Sequence, residues 1–337
     1  MKICICGGGN LGHVVAGFVA AQKQHDISVL TRHPERWSKD LTIEAPRGTT
    51  FSGHLDGIFS EGKNAVEDAD IVLLCLPGYA IPQTLQEIRD FLKPGAAVGS
   101  VVSSTGFFFE AIDLLPSAQP LFGFQRVPFI ARTIEYGNSA RLMGYKDSLN
   151  MAVEHCEDPE SLRNTLAEIF KTPINLLTSH YEASISNSNP LMHTSRLYSL
   201  WKDWHEGKVY AQVPLFYDDW TEEAALLYIQ MDNELQALLE LLPVRKGSIP
   251  SVLNYYESND ASSLARKLRS IEAFKGIMAP MKKTEGGFVP DISSRYFTED
   301  FPYGLALIYR LAHKNNVDTP VIDMIYNWGM NIIKTIR

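Results

Sequence analysis

Gly7, Gly9 and Gly12 stand between two short apolar runs, and no other feature narrows the fold of this chain so far. Residues 2–6 read as a strand. Val14, Val15, Phe18 and Val19 recur at helical spacing, which predicts a helix over 13–24, and 27–31 reads as a second strand. Strand, glycine turn, helix and strand in that order open a βαβ unit on a parallel sheet. In this setting Gly7 permits a tight turn, Gly9 lets backbone approach a pyrophosphate, and Gly12 lets the helix pack close to the strand. Ala16 extends the close packing. Free N–H groups around Asn10 and Leu11 then face an anion at the positive end of the helix dipole.

The alternation continues. Residues 69–77 form a buried strand ending at Pro77, 82–92 a helix closed by Lys93-Pro94-Gly95, and 97–103 a Val-rich strand. Residues 121–129 and 139–145 read as later strands of the same domain. After Thr178 the alternating pattern fades. Helices are expected at 222–242, 262–274 and 301–314, and a fourth from Pro320 with Thr319 as its cap. The expected architecture is a Rossmann-type α/β domain with a doubly wound parallel sheet over 1–178. An all-α domain follows over 179–337, and the family resemblance set out below implies that it is 6-phosphogluconate dehydrogenase C-terminal-like.

Composition removes other classes. A chain of 337 residues that is 45% hydrophobic has enough apolar surface for about two domains. Its net charge of -8, with scattered Lys and Arg, argues against nucleic acid or an anionic membrane as a partner. No apolar run approaches the roughly 18 residues of a membrane span, so a cytoplasmic protein is expected. Cys4, Cys6 and Cys75 sit in apolar runs and read as buried hydrophobes. Cys4 and Cys6 alternate onto one strand face, where a strain-free bridge is excluded. No metal-ligand spacing is present.

The tip of the second strand bears on the cofactor. NAD sites place Asp or Glu about 20 residues past the glycines to hold the ribose hydroxyls; position 32 here is Arg. Arg32 with Thr31 and Arg36 suits a 2′-phosphate, which favours NADP and leaves NAD open, with Arg32 then stacking on adenine. Leu76 and Pro77 end the third strand and Ser103 the next, at the carboxyl edge where open α/β sheets bind ligands. Gln125 and Arg126 lie at the same edge.

Two polar segments mark the second half: Asn189-Pro190-Leu191-Met192-His193, and Arg295-Tyr296-Phe297-Thr298-Glu299-Asp300-Phe301-Pro302-Tyr303-Gly304-Leu305. The first reads as a helix start with Asn189 as cap and Pro190 in the first position. Taken alone, His193 reads first as a satisfied core histidine, and an isolated Arg–Asp pair is more often structural. Hydride transfer to an acid needs an acid–base group, a partner that orients it, and a cation for the carboxylate; His, Asp and Arg are those types.

Together with the glycine turn, these segments resemble the octopine/nopaline (opine) dehydrogenase family across nearly the whole chain. The resemblance implies NAD(P)H-dependent reduction of the imine formed between a 2-oxo acid and an amine or amino acid. It implies His193 as the catalytic acid–base, Asp300 as its acidic partner and Arg295 as the binder of the substrate carboxylate, with Asn189 beside the substrate. A substrate lying between the domains and a homodimeric assembly are compatible with it. A simple 2-oxo acid or ketone reductase of the ketopantoate reductase type is the alternative. Such enzymes use a Lys near an Asn at the start of the helical domain, and none occurs between His180 and Arg196. A non-catalytic NADP-binding sensor is the alternative of another class; it would keep the glycines but has no need of His193, Arg295 and Asp300 together.

Overall fold

The structure is a computed structural model that describes residues 1–335. The chain divides into two compact units, Met1–Ser186 and Asn187–Arg337.

In the first unit the strands are β1 (Lys2–Cys6), β2 (Asp26–Leu30), β3 (Asp40–Glu44), β4 (Thr50–His54), β5 (Gly57–Phe59), β6 (Ile71–Leu74), β7 (Ala97–Ser100), β8 (Leu121–Phe124), β9 (Phe129–Glu135), β10 (Ser139–Tyr145), β11 (Leu149–Glu154) and β12 (Ile174–Leu176). The helices are α1 (Asn10–Ala20), α2 (Gly62–Val66), α3 (Ile81–Ile88), α4 (Phe107–Leu114), α5 (Pro159–Phe170) and α6 (His180–Ile185). Eight strands form one sheet in the order β12-β11-β8-β7-β6-β1-β2-β5, parallel except where β11 runs against β8. β1 shows why the sheet is double-faced. Ile3 and Ile5 pack with α1 and α5 on one side; Cys4 and Cys6 pack with α2, α3 and α4 on the other. All four cysteines are free.

The remaining strands form a second sheet, β4-β3-β10-β9. Its Leu41, Ile43, Ala140 and Leu142 join the core that holds α1. This explains why α1 buries eight of its eleven residues and shows little amphipathic contrast: it is covered from both sides. The segment 139–145 is therefore a strand, as expected, but in a different sheet. The segment 121–129 is two strands, because β8 ends at Phe124 and Phe129 starts the first strand of the covering hairpin.

The expected boundary at 178/179 lies eight residues before the division of contacts. α6 packs Ala183 into the same core as α3 and α4, which assigns it to the first unit.

The second unit holds α7 (Asn189–Trp201), α8 (Glu222–Leu239), α9 (Val252–Tyr255), α10 (Ala261–Ser270), α11 (Arg295–Thr298), α12 (Ala306–Lys314) and α13 (Pro320–Thr335). One hairpin, β13 (Met281–Thr284) with β14 (Gly287–Pro290), interrupts the helices. No described helix is long and apolar enough to cross a membrane.

Candidate active site

The glycine turn is built from backbone. Gly7 adopts φ +125°, and a Cβ there would stand 2.6 Å from the carbonyl oxygen of Cys75. A Cβ on Gly12 would overlap the carbonyl oxygen of Gly7. Around Gly9, by contrast, no atom lies within 4 Å of the position a Cβ would take. α1 starts beside that space with no side-chain cap and no acid in its first turn, and the N–H of His13 makes its first bond, to the carbonyl of Gly9 at 3.1 Å. The amides ahead of it, at Asn10, Leu11 and Gly12, are the orphan donors of a helix N-terminus. The side chains of Asn10 and Leu11 are engaged elsewhere: Asn10 Oδ1 accepts from the N–H of Thr133 at 2.8 Å, and Leu11 packs into the core.

β7, β6, β1 and β2 are adjacent in the sheet, so Ser103, Leu76-Pro77, the glycine turn and Thr31 follow the carboxyl ends of neighbouring strands. Chain order turns back at β1, whose partners are β2 and β6, and this is where open α/β sheets bind ligands. The hydroxyl of Ser103 is buried and has no partner among the described residues. An open glycine turn at a helix N-terminus with an orphaned hydroxyl two strands away fits a dinucleotide.

Beyond β2, Thr31 is buried and its hydroxyl meets that of Tyr136 at 3.2 Å. Arg32 is exposed. The Arg36 guanidinium lies over the Tyr136 ring, 4.6 Å from its centroid. The first carboxylate after the strand, Glu35, is turned toward His33 at 3.3 Å. Tyr136 and His13 were not apparent from sequence. His13 is fully buried and stacks on Trp37; its Nε2 accepts from the N–H of Gly137 at 2.6 Å. Its Nδ1–H therefore donates to the carbonyl of Gly9 at 2.9 Å, and burial lowers its affinity for a second proton. A histidine inside α1 thus ties the glycine turn to the turn between β9 and β10.

In the second unit, α7 carries His193 one turn from its start. Asn189 is the first helical residue rather than the cap, and Pro190 the second. Asn187 Oδ1 accepts from the N–H of Asn189 at 3.2 Å, an Asx turn that starts the helix one residue earlier than Asn-Pro spacing implied. His193 is 9% exposed. Its Nδ1 meets Asp300 Oδ2 at 2.8 Å and its Nε2 meets the hydroxyl of Tyr217 at 2.9 Å. Phe216 and Tyr296 stand edge-on to the ring.

Asp300 opens a π-helical turn, Asp300–Leu305, in which the N–H of Gly304 reaches back five residues to the carbonyl of Glu299. A Cβ on Gly304 would come 2.5 Å from Cγ of Pro190, so glycine lets this wide turn close on the start of α7.

Arg295 is placed differently from expectation. Its side chain is 83% exposed, and Nε and Nη2 grip both oxygens of Glu299 at 2.9 and 2.7 Å. The structure brings His193 and Asp300 together and leaves Arg295 at the surface, because four residues of spacing on one short helical stretch favour Glu299 as its partner. A different arginine is buried beside the pair. Arg196, one turn after His193, is 2% exposed; its Nε donates to the carbonyl of Phe216, and its Nη2 to those of Leu215 and Asp219. Burial without a bonded carboxylate lowers its pKa to about 10. Arg196 and Tyr217 were missed in the sequence because their roles depend on a loop with no motif of its own.

Residues 176–333 match the family model for the alpha-helical domain of NAD/NADP octopine/nopaline dehydrogenase, and residues 2–104 match a model described as NADP oxidoreductase, coenzyme F420-dependent. An opine dehydrogenase of Haliotis discus hannai is 29% identical, over 97% of this chain and 89% of its own length. A tauropine dehydrogenase of Arabella iricolor is also 29% identical, over 98% and 91%. Among solved structures, octopine dehydrogenase with NADH and L-arginine superposes with a TM-score of 0.87 at 25% identity, covering 99% of this chain and 90% of that one.

Proposed function

The chain belongs to the octopine/nopaline dehydrogenase family, and we propose that it joins a 2-oxo acid to the amino group of an amino acid by reducing the imine between them. The observation that carries the reading is the buried contact of His193 with Asp300 at 2.8 Å, between residues 107 apart in the chain. It is further supported by relatives whose names specify opine and tauropine dehydrogenases, and by a structural relative that holds NADH and L-arginine.

A bound nicotinamide dinucleotide supplies the hydride for the imine carbon. The N-terminal amides of α1 would hold its pyrophosphate, and the open face of Gly9 leaves room for that group. Ser103, Leu76 and Pro77 line the neighbouring strand ends. Arg32, exposed at the tip of β2 with no carboxylate beside it, favours NADP over NAD by contacting a 2′-phosphate; Thr31 and Arg36 flank it through Tyr136.

Asp300 holds the Nδ1–H of His193 and stabilises the imidazolium that forms when a proton leaves the incoming ammonium. That deprotonation frees the amine to attack the oxo carbon. The same proton, returned, lets the carbinolamine oxygen depart as water. Arg295 is the cation proposed for the carboxylate of the oxo acid. It takes that ligand by exchanging Glu299 for it, two-pronged geometry for two-pronged geometry. Asn189, at the first position of α7, is proposed beside the substrate. A cytoplasmic setting is part of the same proposal and accords with four free cysteines.

The test is oxidation of NADPH or NADH with pyruvate, with and without a panel of L-amino acids. Oxidation only when both are present is expected; oxidation with pyruvate alone would instead make the chain a simple oxo-acid reductase. Arg295→Lys should raise the KM for the oxo acid by about tenfold or more with a smaller change in kcat, since Lys cannot make the two-pronged contact. An unchanged KM removes Arg295 from the site.

A further inference from the structure

The mechanism above leaves one atom unaccounted for. Asp300 holds Nδ1 of His193, so Nε2 is the nitrogen left to exchange a proton with substrate, yet Nε2 is already bonded to the hydroxyl of Tyr217 at 2.9 Å. We propose that Tyr217 is a further catalytic residue: its hydroxyl, and not the imidazole, touches the reacting amine and oxygen, and relays the proton to and from His193.

The surroundings are built to keep this contact. Tyr217 is 5% exposed and stacks with two rings nearly parallel to its own, Phe274 at 4.1 Å and Trp220 at 6.0 Å. It cannot swing aside without opening that stack. The loop that carries it is pinned at Leu215, Phe216 and Asp219 by the guanidinium of Arg196, which sits on the same helix as His193. Arg196 thereby ties this loop to the helix of His193, and the N–H of Phe216, donating to the carbonyl of Ile277 at 2.7 Å, holds it from the other side. Three titratable groups face the relay: Asp300 from the π-helical turn, Tyr296 from α11, and Tyr256 just past α9. Tyr296 is half-buried and stands edge-on to the His193 ring, 4.6 Å between centroids. Burial pushes the Tyr217 phenol well above its ordinary range, so it rests as a neutral O–H donor to Nε2.

The step balances. As the substrate ammonium gives a proton to the Tyr217 oxygen, the Tyr217 hydrogen passes to Nε2, and the imidazolium charge is met by Asp300. In the reverse sense Nε2–H returns its proton to the Tyr217 oxygen, the Tyr217 hydrogen goes to the carbinolamine oxygen, and water leaves. No net charge is left on the phenol at either end.

This proposal rests on the reductive-condensation reading, and the experiment separates the two. Turnover of the full chain with pyruvate, an accepted L-amino acid and NAD(P)H is followed from pH 5.5 to 9.5 for wild type, Tyr217→Phe and His193→Ala, with thermal unfolding to show that each variant is folded. Tyr217→Phe should lose roughly 100-fold or more in kcat at an unchanged KM for the oxo acid, as expected on removing a general acid–base group. Its pH profile and its solvent deuterium isotope effect should both change. A Tyr217→Phe enzyme within about twofold of wild type, with the same pH profile, overturns the relay if His193→Ala is inactive. If His193→Ala also turns over normally, the assignment of the site itself has failed. Should Tyr217→Phe be unstable, Arg196→Lys provides the second measurement: it keeps His193, Asp300 and Tyr217 but loosens the loop, and should lower kcat by about tenfold or more between pH 6 and 7.5, whereas an unchanged kcat overturns the relay.

Discussion

The glycine turn of the first unit and the His193 centre of the second are built on opposite principles. The turn works by lacking side chains. Gly7 must be left-handed, Gly12 must clear a carbonyl, and Gly9 must face open space, all within six residues. The His193 centre works by excess of side chains, drawn from α7, the 215–219 loop, α11 and the π-helical turn. A backbone site tolerates almost any neighbour but almost no substitution. A side-chain site depends on distant segments being held in register, here by Arg196 and by the contact between Gly304 and Pro190.

That contrast can be broken experimentally at either end. The largest effect is expected at the centre. His193→Ala should lower kcat by about 10³-fold or more while leaving NAD(P)H affinity near wild type, because the acid–base group is removed and the turn is untouched. A near-normal rate would remove His193 from catalysis. Next is Gly12→Val, which places a branched side chain against the carbonyl of Gly7. Overpacking of about 1–3 kcal/mol predicts cofactor binding weakened by about 10-fold or more in a fluorescence titration, with no comparable effect from Gly9→Ala on folding. Arg32→Ala is expected to weaken NADPH by about tenfold, the share of one charge-assisted hydrogen bond, and to leave NADH unchanged. Equal losses for both cofactors would show that Arg32 does not read the 2′-phosphate.

The smallest effect sharpens the comparison where the turn does rely on a side chain. Buried His13 has its proton affinity lowered in the fold. Above about pH 6.5, the ordinary histidine value, it is neutral in both folded and unfolded chains and contributes no pH dependence. Below that, the unfolded chain takes up a proton that the folded one resists, so stability falls with pH, by at most about 1.4 kcal/mol per pH unit from this group. Tm measured from pH 7.5 to 5.5 should drop more for wild type than for His13→Gln; parallel curves would mean that His13 is not the titrating group.

The first unit was legible in the sequence to the extent that its signals were local. The strand, turn and helix around Gly7 to Gly12 announce themselves by spacing, as does β6 with Pro77. What escaped was pairing. β3 and β4 are not among the strands expected from sequence at all, and nothing local says that they join β10 and β9 in a second sheet over α1. The division of the chain escaped for the same reason, since α6 follows the change in sequence character yet packs on the earlier core.

At the centre, residue types and motifs led to His193 and Asp300, and the fold joins them. Arg295 was read from the same segment and resemblance as Asp300, and in the structure an i,i+4 acid, Glu299, holds it. Sequence by itself determined which backbone segments could form an anion-binding turn and which residue types could move a proton, because φ preference, helix start chemistry and side-chain pKa are properties of single residues and their near neighbours. Only the tertiary structure decided which donors face which acceptors: Tyr217 on Nε2, Arg196 on three carbonyls, His13 between Gly9 and Gly137. Those contacts join segments far apart in the chain, and a hydrogen bond is specified by distance and direction in space, for which the order of residues carries no local signal.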